Sequence, residues 1–197
     1  MSVFFETKSN SVNSNSPFAM SELSNIILEY LNDFYDTNYD DLLIVCIGTD
    51  RSTGDCLGPL IGYKLSSMLK LYPKVHVLGT LDDPVHAKNL KDKITHIYST
   101  YNKPFIMAID ACLGKLERVG YINVSKGALK PGAGVNKELP EIGNIHITGV
   151  VNLGGFMEYI ILQNTRLSIV MKMADTISST IKISLWKYFR EKALLNN

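Results

Sequence analysis

The sequence has little excess charge of either sign and no long run of apolar residues. Its 20 lysine and arginine residues face 19 aspartate and glutamate residues, which gives a formal net charge of +1. Proteins that bind nucleic acid usually carry a basic patch, so this balance argues against such a partner. No apolar stretch approaches the length of a transmembrane helix, and the opening MSVFFETKSN does not resemble a secretory signal. We therefore expect no membrane partner and a cytoplasmic location.

Cysteine is also scarce, and the composition is otherwise ordinary. Cys46, Cys56 and Cys112 are odd in number and match no metal-binding or redox spacing, so we expect free thiols and no disulfide framework. Hydrophobic residues make up 46% and charged residues 20%, which is typical of a globular protein. Residues 8–17, KSNSVNSNSP, are rich in Ser and Asn. We therefore predict a disordered tail over residues 1–20 and a single domain over residues 21–197.

Short apolar runs alternate with amphipathic stretches along the domain. Strands are predicted at residues 42–48, 75–80, 104–110, 118–125, 144–150 and 166–172. Helices are predicted from Ser21, from Leu57, at residues 84–99, at residues 154–164 and from the last strand to about Leu194. Buried strands that alternate with helices indicate an α/β fold with three layers, αβα, and a mostly parallel central sheet.

The loop GTDRSTGDCLGP, residues 48–59, joins the first of the apolar runs to the following helix. Its glycines allow tight turns, and Pro59 suits the first turn of a helix. Neither of the glycine-rich phosphate-binding patterns is present. We interpret the loop as a segment that passes close to a bound chain, and we predict that Gly48, Thr49 and Gly54 contact substrate.

Two aspartates follow predicted parallel strands. Asp110 ends the strand FIMAID, and Asp55 comes seven residues after Gly48, which ends another strand. Because ligands bind beyond the carboxyl ends of such strands, we expect both carboxyl groups at one edge. A helix start favours the ionised form of Asp55, whereas an apolar strand favours the protonated form of Asp110, a pairing that suits a general base and a general acid. The alternatives are a helix N-cap for Asp55 and a turn residue for Asp110.

Histidine and cysteine side chains offer further candidates near this edge. His86 follows Asp82 and Asp83 at the tip of the second strand, where it either positions substrate, serves as an auxiliary base, or is a surface histidine paired with its acidic neighbours. Cys56, at the start of a helix, is either a nucleophile with a lowered pKa or a small buried side chain.

Three segments resemble the spore germination protease family. The loop GTDRSTGDCLGP is similar to that family's glycine-opened loop, AIDACLG to its second catalytic aspartate segment, and PGAGVNKELPE to its Pro-Gly-small-Gly loop. Closer still, GTL followed by two acidic residues and PVHA, together with GD-x-LGP, resembles the sporulation protein YyaC family.

This resemblance implies a phosphorylase/hydrolase-like fold and an endopeptidase with Asp55 and Asp110 as its catalytic residues and no cofactor. It implies small acid-soluble spore proteins as substrate, in the cytoplasm of the sporulating cell or forespore. Pro131, Gly132 and Gly134 would present bare backbone to an extended peptide.

The same loop resembles the hydrogenase maturation endopeptidases. In that family the position of Asp55 is a glutamate, Asp110 is retained, and a later histidine completes a nickel-sensing trio. His146 could take the place of that histidine, or it could be a polar residue in a short edge strand. We predict peptide-bond hydrolysis without a tightly bound metal. A peptide- or partner-binding protein without activity and a metal-dependent maturation peptidase are the alternatives, and the oligomeric state is left open.

Overall fold

The computed structural model describes residues 10–132 and 139–195. The strands of its sheet are β1 (Ser11–Asn13), β2 (Asp41–Cys46), β3 (Val75–Leu78), β4 (Pro104–Gly114), β5 (Tyr121–Lys126) and β6 (Ile145–Leu153). The helices are α1 (Ala19–Phe34), α2 (Leu57–Met68), α3 (Leu90–Thr100), α4 (Glu158–Gln163) and α5 (Leu167–Leu195), with a 3₁₀ helix at Leu116–Arg118. Within these two ranges, no helix combines the length and the apolar character that a membrane crossing needs.

The strands form one sheet in the order β1-β5-β6-β4-β2-β3. Strands β3, β2, β4 and β6 are mutually parallel, while β5 runs antiparallel to both β6 and β1. Helices α1, α2 and α5 pack on one face, and α3 packs on the other. The predicted three-layer αβα fold with a mostly parallel sheet is therefore confirmed.

The apolar side chains of β4 supply both faces of the core. Phe105, Met107 and Ile109 pack in the layer formed with α1, α2 and α5, whereas Ile106 and Ala108 pack in the layer that contains α3. A strand that is buried on both faces needs apolar residues at successive positions, and this explains the continuous apolar run in β4.

The connections around β2 create a crevice. The chain leaves β2 through α2 to reach β3 on one side, then returns through α3 on the opposite face to β4, on the other side of β2. Parallel sheets bind ligands where the direction of winding reverses in this way, just beyond the carboxyl ends of the strands. The ends of β2 and β4 are therefore the place to look for a site.

The prediction of a disordered tail over residues 1–20 is wrong for the part that the structure describes. Residues Ser11–Asn13 form β1, which pairs with β5, and α1 begins at Ala19. Val12 is the only apolar residue of this strand, and it is 3% exposed in the core. One buried side chain and backbone hydrogen bonds to a distant strand leave almost no trace in composition. Residues 1–9 lie outside the described residues.

The predicted strand at residues 166–172 is also wrong, because this segment is the first part of α5. Val170, Met173 and Ala174 are fully buried at helical spacing, and Ile177 continues the same stripe. A short apolar run cannot be distinguished from a buried helical segment by its periodicity alone.

The predicted helix at residues 84–99 starts later than expected, at Leu90. The preceding residues form a turn in which Asn89 accepts a hydrogen bond from the His86 N–H and donates one to the Pro84 carbonyl, at 2.8 Å and 2.9 Å. Asn side chains commonly stabilise turns in this manner, in competition with helix.

Candidate active site

The loop between β2 and α2 folds back on itself at Gly48. This glycine has φ +142°, and a Cβ atom there would lie 2.0 Å from the Asp55 carbonyl oxygen. Its N–H donates to the carbonyl of Val85 at 2.8 Å. Gly48 is therefore needed to close the loop, and its backbone is already engaged within the protein.

Gly54 also serves packing rather than an open backbone surface. Its N–H donates to the Leu162 carbonyl at 2.8 Å, and a Cβ atom would approach side-chain atoms of Leu162 and Thr165 to 2.8 Å. This glycine fastens the loop to the α4–α5 region. The structure thus gives Gly48 and Gly54 packing roles inside the loop, and the substrate contact expected of Gly48, Thr49 and Gly54 stays a prediction.

Asp55 lies between this loop and α2, but it does not cap the helix. The N-cap residue is Cys56, and no side chain makes a capping hydrogen bond there. The Asp55 carboxyl group instead accepts a hydrogen bond from the Thr49 N–H. The N-cap alternative for Asp55 is therefore wrong, and this carboxyl group is turned into the loop.

Asp110 occupies the point at which β4 continues past its neighbour β2. The last residue of β2, Cys46, pairs with Ile109, whereas Asp110 pairs with Thr148 of β6. The strand then runs on to Gly114, so the prediction that it ends at Asp110 is wrong. Asp110 therefore lies one residue beyond the last β2–β4 pair, at the crevice.

Burial dominates the proton affinity of both carboxyl groups. Asp110 is 6% exposed, and desolvation raises its pKa well above the usual 3.8. The charge of Asp55 raises the pKa of Asp110 further, while hydrogen bonds from the N–H groups of Ala111 and Gly132 lower it in part. The effect of the Asp55 charge on Asp110 indicates that the two aspartates lie near each other at this edge of the sheet.

The expectation for the ionisation of Asp55 needs correction. The sequence predicted that the helix start would favour its charged form, but burial raises the pKa of Asp55 too. The Thr49 N–H and His86 act in the opposite direction and lower it. Burial thus raises the pKa of Asp110 more strongly than that of Asp55, so the protonated form is favoured more at Asp110, while the Thr49 N–H and His86 oppose the shift at Asp55.

His86 reaches the site through the turn that precedes α3. Val85 is fully buried and forms a parallel bridge with Ile47, which places the next residue beside the β2–α2 loop. The Nδ1 atom of His86 is buried and has no hydrogen-bond partner in the part of the chain that the structure describes. His86 therefore joins Asp55 and Asp110 at the crevice, rather than pairing with Asp83, which binds Lys93 at 2.7 Å.

The connection between β5 and β6 brings a backbone N–H group to Asp110. Leu129 and Ile142 form an antiparallel bridge and are buried against the α3 side of the sheet. From there the chain reaches Gly132, whose φ of +71° and N–H contact with Asp110 complete the site. The sequence singled out this loop for substrate contact but missed its contact with the aspartate. Pro131 lies next to Gly132, and the predicted Gly134 lies outside the described residues.

His146 lies under this connection and not at the aspartates. Its Nδ1–H donates to the Gly127 carbonyl at 2.9 Å. Asp110 pairs with Thr148, so His146 is two residues lower in β6, about 6.6 Å along the strand. The alternative of an edge strand is wrong as well, because β6 lies between β5 and β4.

No group of three or more His, Cys, Asp or Glu side chains within residues 10–132 and 139–195 is arranged to hold a metal ion. The described residues therefore offer no ready nickel trio around His146. The expectation that the protein binds no tight metal stays a prediction.

The cysteines near the aspartates are poor nucleophiles. Burial raises the pKa of Cys56, and the charges of Asp50 and Asp55 raise it further, so the predicted lowering is wrong. Burial raises the pKa of Cys112 to about 11, although a hydrogen bond with Thr148 opposes the shift. Thiolates, not thiols, are the reactive form. Thr148 had no sequence signal, whereas Asn89 could have been found from the Pro-x-His-x-x-Asn spacing of its turn.

The three-layer α/β architecture has a counterpart among solved structures. The crystal structure of a [NiFe] hydrogenase maturation protease, HycI from Thermococcus kodakarensis KOD1, matches with a TM-score of 0.51 and 16% identity, over 79% of this chain and 98% of that chain. At this level of identity the likeness shows the fold alone.

Sequence similarity identifies the family. Residues 11–180 match the family described as "Protein of unknown function (DUF1256)", and the chain belongs to this family. It is 52% identical over 153 residues to the "Uncharacterized protein YyaC" of Bacillus subtilis (strain 168), which covers 78% of this chain and 74% of that protein. The predicted resemblance to the YyaC family is therefore confirmed.

Proposed function

We propose that this protein is an endopeptidase in which Asp55 and Asp110 activate water for peptide-bond hydrolysis. The observation that carries the proposal is the pair of carboxyl groups at the β2–β4 crevice with unequal surroundings. Asp110 is buried beside the charge of Asp55, whereas the Thr49 N–H and His86 favour the ionised form of Asp55. Pairs of this kind divide the work of general base and general acid.

The proposed mechanism assigns the ionised form to Asp55 and the protonated form to Asp110. Ionised Asp55 accepts a proton from a water molecule as the water oxygen attacks the peptide carbonyl carbon. The tetrahedral intermediate then collapses as the C–N bond breaks, and Asp110 gives its proton to the leaving nitrogen. The pair returns to its starting state when the proton passes from Asp55 to Asp110 through solvent or a second water.

A protein substrate fits the surface next to Asp110. By strand alternation, Cys112 lies on the same sheet face as Asp110, and Thr148 and Asn123 lie opposite on β6 and β5. The Asn123 amide and the Thr148 hydroxyl contact each other at 3.4 Å, so this face offers polar groups to an extended chain. From the resemblance of its loops, we infer small acid-soluble spore proteins as the substrate and the sporulating cell or forespore as the setting.

The test is cleavage of a small acid-soluble spore protein, followed by mass spectrometry. We expect Asp55→Asn and Asp110→Asn each to lose activity by about 10²- to 10⁴-fold, because each removes one proton-transfer group. The double variant should be only slightly less active than the less active single variant, since the two aspartates act as a unit. Asp50→Asn, an exposed residue of the same loop, is the matched control and should retain activity.

One observation favours a different function, the binding of a protein partner without cleavage. Phe156 is 91% exposed and Tyr159 is 59% exposed, and their segment is tied to the Asp55 loop through Leu162 and Gly54. If wild type binds the spore protein but releases no fragment, this function replaces the peptidase. If cleavage appears only after nickel or zinc is added, the metal-dependent alternative is correct.

A further inference from the structure

Strand β4 has an open edge beyond the end of β2. The last residue of β2 pairs with Ile109, whereas β4 continues to pair with β6 as far as Gly114. In the part of the chain that the structure describes, residues 111–114 therefore have a neighbouring strand on one side only, and all four are half-buried. This open β4 edge begins directly after Asp110.

The backbone groups of Ala111 and Leu113 point to the open β4 edge. The Ile109 carbonyl faces the β2 side, where it accepts a hydrogen bond from the Ile47 N–H at 2.7 Å. Because alternate residues of a strand point their backbone groups to the same edge, Ala111 and Leu113 face this side too. The Ala111 N–H bonds to the Asp110 carboxyl group at 2.8 Å. No other segment of the described chain bonds to the Ala111 carbonyl or to the Leu113 backbone on this side.

An unpaired strand edge is a template for another extended chain. Its free N–H and C=O groups pair with those of the added chain, and several peptide-binding domains hold their ligands in this way. Proteins usually cover or shorten such edges. Here the edge is open beside the carboxyl group that we propose as the general acid. A chain paired with it would bring its own backbone to Asp110.

Exposed apolar side chains lie at the far end of the same edge. Leu153 pairs with Gly114, the last residue of β4, and is 44% exposed. The Gly154 N–H donates to the Gly114 carbonyl at 2.7 Å, and Phe156 follows two residues later with 91% exposure. The exposed apolar residues of this segment, here called the α4 patch, are Leu153, Phe156, Met157, Tyr159 and Ile160. Exposed apolar residues that are grouped in this way mark an interaction site.

Two hydrogen bonds fix the segment that carries the α4 patch. The Asn152 amide, at the end of β6, donates to the Ile161 carbonyl at 3.3 Å. The Leu162 carbonyl accepts a hydrogen bond from the Gly54 N–H at 2.8 Å, in the loop that carries Asp55. Because β4 lies between β6 and β2, this segment passes the carboxyl end of β4. It therefore borders the crevice that holds both aspartates.

We propose that an extended segment of a protein substrate pairs with the open β4 edge and places a bulky apolar side chain on the α4 patch. This inference rests on the proposed peptidase function, because the aspartates define where the cleaved bond lies. The extended chain from Asp110 to Gly114 spans about 13 Å. The apolar side chain should therefore lie about four residues from the cleaved bond. Backbone pairing would supply affinity, and the α4 patch would supply specificity.

Hydrogen exchange tests the pairing. The Asp55→Asn variant of the full chain is mixed with a small acid-soluble spore protein, since this variant should bind the protein without cleaving it. We expect slower amide exchange in residues 111–114, because an added strand would protect the Leu113 N–H. Absence of binding, or binding without protection of these residues, would overturn the proposal.

Phe156→Ser tests the α4 patch in the same Asp55→Asn background. Loss of the apolar contact should weaken binding of the spore protein by about tenfold or more. The midpoint of thermal unfolding should stay unchanged, because the side chain is exposed. Leu71→Ser is the matched control and should bind normally, because Leu71 is 88% exposed just before β3, at the amino ends of the strands. Equal binding by the two variants would contradict a role for the α4 patch.

Cleavage distinguishes this proposal from the peptidase function itself. With both aspartates present, Phe156→Ser should raise KM and leave kcat nearly unchanged, since docking stabilises bound substrate and transition state equally. If the spore protein binds as described but wild type releases no fragment, the docking surface is supported and the peptidase function is overturned. If wild type cleaves and Phe156→Ser keeps the wild-type KM, the docking surface is wrong and the peptidase function stands.

Discussion

At the scale of single residues, Asp110 combines a cost in stability with the chemical role that we propose for it. Its carboxyl group is buried in β4 next to the charge of Asp55, and only two backbone N–H groups favour its ionised form. A folded protein that holds a carboxyl with a raised pKa binds a proton more tightly than the unfolded chain does. The group that we propose as the general acid is therefore one that destabilises the fold as it ionises.

This predicts a pH-dependent effect of Asp110→Asn on stability. In the unfolded chain Asp110 ionises near 3.8, whereas in the folded protein its pKa is well above that value. The wild-type stability therefore falls as pH rises from about 4 through the folded pKa of Asp110. The asparagine variant lacks this ionisation and can still accept hydrogen bonds from Ala111 and Gly132. The free energy of unfolding of the variant, relative to that of wild type, should therefore be higher at pH 8 than at pH 5.

Urea unfolding of both proteins at the two pH values measures the effect. Asp50→Asn, at an exposed position of the β2–α2 loop, serves as the control and should show no such gain. A difference between Asp110→Asn and wild type that is the same at both pH values would contradict the raised pKa.

At the scale of elements, the turn before α3 holds His86 against the aspartates. Asn89 makes both of the side-chain hydrogen bonds that fix this turn, one with the His86 N–H and one with the Pro84 carbonyl. The turn is anchored to the sheet by buried Val85. Asn89 is thus a positioning residue, because it acts on Asp55 only through His86.

Asn89→Ala should therefore change the pH profile of cleavage as well as stability. Loss of two half-buried hydrogen bonds should cost about 1–2 kcal/mol in the free energy of unfolding. With His86 released, the pKa of Asp55 rises, so the acid limb of the profile shifts to higher pH. Asn102→Ala, which also removes a side-chain hydrogen bond from a surface asparagine, should leave the profile unchanged. An unshifted profile with lowered stability would reduce Asn89 to a structural role.

Some elements could be predicted from the sequence because their signal is local. The run 104–110 is apolar throughout since β4 is buried on both faces, and the parallel direction of β2 and β4 then brings Asp55 and Asp110 to one edge. β1 could not be found, because its place in the sheet depends on pairing with β5 and on one buried valine. The Gly132 contact with Asp110 depends on the path of the β5–β6 connection, which no local pattern encodes.

At the scale of the whole molecule, we propose different tasks for the two faces of the sheet. The face covered by α1, α2 and α5 contains the larger apolar core. The other face carries α3, the β5–β6 connection and the side chain of Asp110. Buried polar links within the first layer, such as the Ser184 hydroxyl bonded to the Ser24 carbonyl at 3.0 Å, tie the C-terminal helix to α1. Stability and chemistry should therefore respond to different substitutions.

Tyr188→Phe tests this separation. The Tyr188 hydroxyl is in the α1–α5 layer and donates to the Tyr35 carbonyl at 2.5 Å, and burial raises the pKa of Tyr188 to about 12. Removing the hydroxyl leaves a buried carbonyl without this donor, which should cost about 1–3 kcal/mol in the free energy of unfolding. The rings of Tyr188 and Tyr35 stack with centroids 5.4 Å apart, and phenylalanine can keep that packing.

Cleavage by Tyr188→Phe should match wild type at temperatures where the variant stays folded, because the lost bond lies on the face away from Asp110. Tyr63→Phe, at an exposed position of α2, is the matched control and should change neither property. The variant thus has the opposite profile to Asp110→Asn, which should lose cleavage while it gains stability at pH 8. If Tyr188→Phe lost cleavage while folded, the α1–α5 layer would have to act on the position of the aspartates, and the division of tasks between the two faces would be wrong.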